Sequence, residues 1–186
     1  MKKTLYIVVG TALMILFSGC FNREKVTDEL IKYHNNEWQI LQEMKEEKVK
    51  ADTSEYILLA IEGNNKEVGK LLKEEILPSH NEVVEYLEGT KLKNKEIEEL
   101  NQLQIDAEEF GYKVLQEQAD VFSSGEKVDF EVMFERFERH DKELEEKYKK
   151  VDDKREELIE KYDVHWVDVY DEDGELIRKM ERKEVD

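Results

Sequence analysis

The sequence predicts an all-α protein, an antiparallel bundle of three or four long helices with a small β-hairpin at the C-terminal end. Three observations carry that expectation. Of the 186 residues, 41% are charged and 39% hydrophobic, with one proline and eight glycines, which is the composition of long exposed helices. Apolar residues recur on alternating four- and three-residue steps through most of the chain. A β-branched and aromatic stretch with a glycine-containing turn begins only after residue 163. The chain divides accordingly into an apolar leader (1–19), a helical domain (20–163) and a hairpin with a short tail (164–186).

The first helix is expected over about 24–62. Val26, Leu30, Tyr33, Ile40, Met44, Ala51, Leu58 and Ile61 form its seam, and Trp38 and Leu41 widen the stripe. Asp52 with Glu55 resembles a capping box, so a break near residue 52 competes with one continuous helix. Gly63 ends it with a left-handed cap. A second helix starts at Asn64 or Asn65 and runs to about Glu88, burying Val68, Leu71, Leu72, Ile76, Val83, Val84 and Leu87. Pro78 falls inside it and disfavours helix at Leu77, which predicts a kink or short break there.

Asn94 caps the third helix, ahead of Glu96, Glu98 and Glu99 where the helix dipole favours acids. Its stripe is Ile97, Leu100, Leu103, Ala107, Phe110, Val114 and Val121, and small Ala107 and Gly111 admit a close neighbour. Ser123-Ser124-Gly125 stops it. The fourth helix, capped by Asp129, follows strict spacing through Phe130, Phe134, Phe137, Asp141, Leu144, Tyr148, Val151, Arg155, Leu158 and Tyr162. Asp141 and Arg155 interrupt that seam; they either meet partners inside or reach water at its edge. In the tail, His165–Tyr170 faces Glu175–Arg178 across Asp171-Glu172-Asp173-Gly174 as a hairpin. An isolated hairpin is marginal, so it should lean on the helices through Trp166 or Leu176.

Charge narrows the function classes. Lys2 and Lys3 are the only charges in the first 19 residues, so without that segment the formal charge moves from −18 to −20. Such a surface repels phosphate backbones and anionic headgroups, and no nucleic-acid partner is expected. It suits a domain held off a membrane, one that meets cations or basic peptides, or simply a soluble helical protein.

Chemical motifs are missing. Aligning Gly174 with the invariant glycine of a calcium loop puts Val169 and Met180 where acidic ligands belong, which rejects an EF-hand. His34, His80, His140 and His165 stand far apart, read as surface or boundary residues, and show no zinc spacing. No nucleophile elbow, Walker loop or dinucleotide fingerprint is present. No enzyme activity, cofactor, metal or catalytic residue is expected. Trp38 with Phe130, Phe134 and Phe137 offers an apolar groove for a ligand; core packing is the commoner fate of such a stripe.

The N-terminus reads MKKTLYIVVGTALMILFSGC: a basic start, an apolar run from Leu5 to Phe17, small residues, then the chain's one cysteine. The run is short for a bilayer span and has the layout of a signal peptide. A lone cysteine excludes an internal disulfide. Phe17-Ser18-Gly19-Cys20 resembles the lipobox of bacterial lipoproteins, with Phe17 where leucine is usual and Leu16 one step earlier. The resemblance implies cleavage before Cys20, acyl chains such as palmitate on it, and a membrane partner through that lipid on the extracytoplasmic face.

Lys73-Glu74-Glu75-Ile76-Leu77-Pro78, Leu87 and Lys95-Glu96-Ile97-Glu98-Glu99-Leu100 resemble the middle of small helical lipoproteins of Bacillus-like Firmicutes, some of them described as cell-wall-binding. That resemblance implies a binding or scaffold role against cell-wall polymer or another envelope protein. A ligand-holding bundle and an accessory or immunity-type factor are the alternatives.

Overall fold

A computed structural model describes residues 23–46, 59, 62–124, 130–170, 174 and 176–184, the side chains of 130, 131, 133 and 134 excepted. The described chain is mostly helical and closes with a two-stranded antiparallel hairpin. Helix α1 covers 23–46, α2 runs from Asn65 to Gly89, α3 spans Lys95–Ser123 and α4 spans Phe130–Lys161. Strands β1 (Val164–Tyr170) and β2 (Leu176–Arg182) pair in register from Val164↔Arg182 to Tyr170↔Leu176. The stretch around Asp52, where one continuous helix is expected with a break as the alternative, lies outside the described residues, as do Asp129 and Asp171 to Asp173.

Helix α1 contains a wide π-helical turn, Tyr33–Trp38. A π turn holds one residue more than an α turn, so the inward face moves forward by one position. The expected seam residue Ile40 is consequently 41% exposed, and Leu41 takes its place fully buried. Gly63, at φ +77°, supplies the expected left-handed cap, and the Asn64 N–H reaches back to the Leu59 carbonyl at 3.0 Å.

Helix α2 buries all seven residues of its expected stripe. Of the kink or short break expected at Pro78, the break does not occur: Leu77 is helical at φ −62°, ψ −45°. The π-helical turn Leu72–Ile76 directly before it widens the spiral, which carries the carbonyl four residues back away from the proline ring.

Asn94 caps α3 as expected, its Oδ1 accepting the Glu96 N–H at 2.9 Å. α3 is the helix the others share. Glu96 meets Lys161, Glu108 meets Tyr148 and Glu117 meets His140, so α4 runs antiparallel to it. Ser123 crowds Gly69, and His80 lies on Glu108, so α2 does the same on the other side.

Three apolar clusters follow one another along α3. One joins Leu30 and Tyr33 to Ile97, Leu100, Leu158 and Met180. The next joins Leu41 to Val83, Leu87 and Ile105. The third, at the far end, joins Leu72 and Ile76 to Ala119 and Phe122. The α3 stripe differs from the expected one: Leu103, Phe110, Val114 and Val121 are only partly buried, while Asn101, Gln104 and Glu108 are buried.

The hairpin leans on α1 through Trp166 and the fully buried Met180; Leu176, the other expected contact, is 61% exposed. Asn35 closes the outer edge of β2, donating Nδ2 to the Met180 carbonyl at 2.9 Å and accepting its N–H at 2.7 Å. An otherwise open strand edge is thereby paired. Asp163, at φ +51°, makes the left-handed step from α4 into β1, a conformation aspartate tolerates better than most residues.

These contacts set two expected outcomes in urea unfolding. Met180→Ala lowers stability by about 2–5 kcal/mol, whereas Leu176→Ala changes it by less than about 0.5 kcal/mol. Equal losses would contradict the docked hairpin. Gly69→Ala costs about 1–3 kcal/mol, because its Cβ would stand 2.9 Å from the Ser123 backbone nitrogen.

Candidate functional site

Cys20 and its neighbours Phe17, Ser18 and Gly19 lie outside the described residues, as do the side chains of Phe130 and Phe134. Trp38 is half-buried, with the Arg155 guanidinium 4.2 Å over its ring. Phe137 lies eighteen residues from Arg155 on the same helix, about 27 Å along the axis at 1.5 Å per residue. The structure therefore does not bring Trp38 and Phe137 together. Asp141 is exposed, whereas Arg155 turns inward, bonding Asp152 at 2.7 Å and covering Trp38.

Two histidines read as surface or boundary residues are buried instead, His34 at 2% and His80 at 8% exposure. His34 sits on the π turn, which rotates it inward beside Tyr33. Its ring meets Tyr33 at 5.5 Å, Trp38 at 6.0 Å and Trp166 at 5.1 Å. Neither ring nitrogen has a hydrogen-bond partner. Burial, with the Arg155 charge nearby, pushes its pKa down to about 3, so the ring is neutral.

Among the described residues, a buried polar group centres on Glu108, 1% exposed. Its Oε1 accepts from Lys45 Nζ at 2.7 Å, Gln104 Nε2 at 2.6 Å and Tyr148 Oη at 2.9 Å. Lys45 also donates to Tyr148 at 3.0 Å. His80 reaches the same residue from α2: its Nε2–H donates to the Glu108 carbonyl at 2.9 Å. That bond uses the proton, so the 3.5 Å approach of Nε2 to Oε2 is a contact without a hydrogen bond. Gly111 makes the room, since a Cβ there would stand 3.3 Å from the His80 ring.

The charges in this cluster follow from its surroundings. Burial pulls the Lys45 pKa down, but Glu108 and Tyr148 more than reverse it, and the ammonium is held above its usual range. Burial lowers His80, and the neighbouring Glu108 offsets only part of that. Burial and Glu108 raise Tyr148, which keeps its proton. Nearer the hairpin, Asn101 accepts from Tyr33 Oη at 3.1 Å and donates to the Leu87 carbonyl at 3.0 Å.

Lys45, Tyr148 and Gln104 saturate one oxygen of the Glu108 carboxylate, and the other, Oε2, is buried without a hydrogen-bond partner. Among the described residues no group of three or more His, Cys, Asp or Glu could hold a metal ion, and no helix is long and apolar enough to cross a membrane. An open cleft of about 480 Å³ lies over Tyr148, flanked by Asp141, Glu145, Lys149 and Asp152. No protein-family model, curated protein or solved structure matches the chain.

Stability should record both features. Glu108→Ala strands a half-buried ammonium and costs about 2–4 kcal/mol, while Lys45→Met with Glu108→Leu recovers most of that loss. Measuring chemical unfolding of the single and double variants checks it; equal losses would refute an ion-pair origin. His34 has a folded pKa of about 3 against an ordinary 6.5. The unfolded chain therefore binds the extra proton, and the stability due to a neutral ring is complete above pH 6.5 and lost as pH falls toward 3. Between pH 7 and 5 this amounts to about 2 kcal/mol. His34→Phe should flatten that slope in unfolding curves recorded at both pH values.

Proposed function

We propose that this chain is a lipid-anchored lipoprotein of the extracytoplasmic membrane face, with a binding or scaffold role toward cell-wall polymer or another envelope protein. The observation that carries the reading is Cys20, the one cysteine, placed directly after an apolar run and two small residues and three residues ahead of α1. The small residues let a peptidase approach the backbone before the thiol, and two or more acyl chains suffice for stable anchoring. In the same reading the four helices form one up-and-down antiparallel bundle, with the hairpin along its flank.

Two further features support a binding role over catalysis. Glu108 is 1% exposed and its Oε1 is held by Lys45, Gln104 and Tyr148, so the carboxylate is shielded from solvent and tied to the helices around it. The outer face of α4 carries i,i+4 pairs such as Glu138–Lys142 and Lys149–Asp153 on an otherwise acidic surface. A partner of this face would be basic or cation-bridged.

Metabolic labelling tests the anchor. The wild type incorporates labelled palmitate and fractionates with membranes, and Cys20→Ser incorporates none and is released or left unprocessed. Unlabelled wild type, retained in the envelope as well as the variant, would overturn the reading.

A further inference from the structure

The formal charge of −18 is unevenly spread. Residues 90–95, the connection from α2 into the first residue of α3, read Thr-Lys-Leu-Lys-Asn-Lys, three lysines without an acid. Lys91, Lys93 and Lys95 are exposed, and no described carboxylate forms an ion pair with them. Two of the acids beside the loop are engaged, while Glu88 and Glu98 line a shallow cleft with Lys91. Glu29 accepts the Lys93 backbone N–H at 2.5 Å, and Glu96 binds Lys161 at 2.7 Å and Tyr162 Oη at 3.2 Å. Leu92, packed on the core between the lysines, holds the loop with its alternate side chains outward.

This loop stands at the end of the molecule where α1 begins. Lys161, paired to Glu96, accepts Arg23 Nη2 at its carbonyl at 2.8 Å. Arg182 reaches the Glu24 carbonyl at 3.3 Å, and exposed Lys183 lines a shallow cleft of about 290 Å³ with Arg23 and Asp163. Arg23 follows Cys20 by three residues, at most about 11 Å of extended chain. That reach is close to the Debye length of about 8 Å at physiological salt. A chain so short leaves little room for anything but the bilayer surface beneath this end.

We infer that the end of the molecule formed by the 90–95 loop, the start of α1 and Arg182–Lys183 is a headgroup-binding face, on which Lys91, Lys93 and Lys95 meet the phosphates of an anionic phospholipid bilayer. Its orientation rests on the Cys20 anchor proposed above. The tether supplies the effective concentration, so weak attraction at each lysine suffices to favour one pose. The acidic remainder of the surface is repelled by the same headgroups, and both effects stand α4 away from the membrane.

Lysine footprinting tests this. Protein purified from membranes is placed in vesicles of phosphatidylcholine alone, or of equal parts phosphatidylcholine and phosphatidylglycerol, and treated briefly with an acetylating ester. With phosphatidylglycerol, modification of Lys91, Lys93 and Lys95 slows about fivefold, high salt restores it, and Lys142 and Lys149 are unaffected. Equal rates in the two vesicles overturn the inference. So does protection in phosphatidylcholine vesicles by added soluble polyglycerol phosphate but not by phosphatidylglycerol, which assigns the lysines to wall polymer. If mass spectrometry finds no acyl chain on Cys20, the anchor reading fails separately. The free thiol is then coupled to a maleimide lipid, and the same footprint decides the lysine face.

Discussion

A single buried carboxylate constrains this fold more than any apolar contact does. Glu108 lies on α3 with its neighbour Gln104, and its other partners come from elsewhere: Lys45 from α1 and Tyr148 from α4 on the carboxylate, His80 from α2 on the carbonyl. Apolar seams tolerate sliding by a turn, because one leucine replaces another at modest cost. A charge in a medium of low dielectric does not, since any slip that separates it from its donors leaves it desolvated and unpaired. Such a pair contributes little net stability over a well-packed apolar substitute. What it supplies is a register: four helices agree on where residue 108 sits.

The π turn in α1 is what delivers Lys45 to that point. With α-helical spacing throughout, the inward positions after Tyr33 are Glu37, Ile40 and Met44, and Lys45 points away. The extra residue in Tyr33–Trp38 advances the face, so Leu41 and Lys45 turn in and Ile40 turns out. The same turn brings His34 against Trp166 and Asn35 onto the Met180 backbone. One local irregularity therefore positions both the interior ion pair and the hairpin, 10 residues apart along the helix.

This explains which parts of the fold were legible in the sequence. The buried stripe of helix α2 was readable because its apolar residues cluster densely enough to survive a change of phase, and the caps at Gly63 and Asn94 depend only on local backbone chemistry. The hairpin was readable from β-branched residues and Gly174. The phase of α1 was not, since nothing in Tyr33–Trp38 marks a π turn. The continuous helix at Leu77 was missed for the same reason: a proline rule written for α geometry does not hold after a wider turn. Of the interior polar cluster, one signal was present and unused. Asn101, Gln104 and Glu108 repeat at three and four residues on the inner edge of the α3 stripe, as an apolar seam would. Composition hid them, because in so acidic a chain one more glutamate reads as surface.

Charge is therefore sorted three ways by the same helices. Glu108 and Lys45 are taken inside and neutralise each other there. The outer face of α4 alternates acids with lysines three and four residues apart, which lowers self-repulsion without removing the net negative field. At the end where α1 starts and α3 begins, Arg23 and Arg182 pair with Asp163 and Asp28, and residues 90–95 add three exposed lysines with no acid among them. A uniform charge of −18 would hold every side of the molecule equally far from an anionic surface. An uneven distribution instead distinguishes one end of the molecule from the other. On the anchor proposed above, orientation and attachment both become properties of the end where α1 starts, with the remaining length of α3 and α4 left free for a partner.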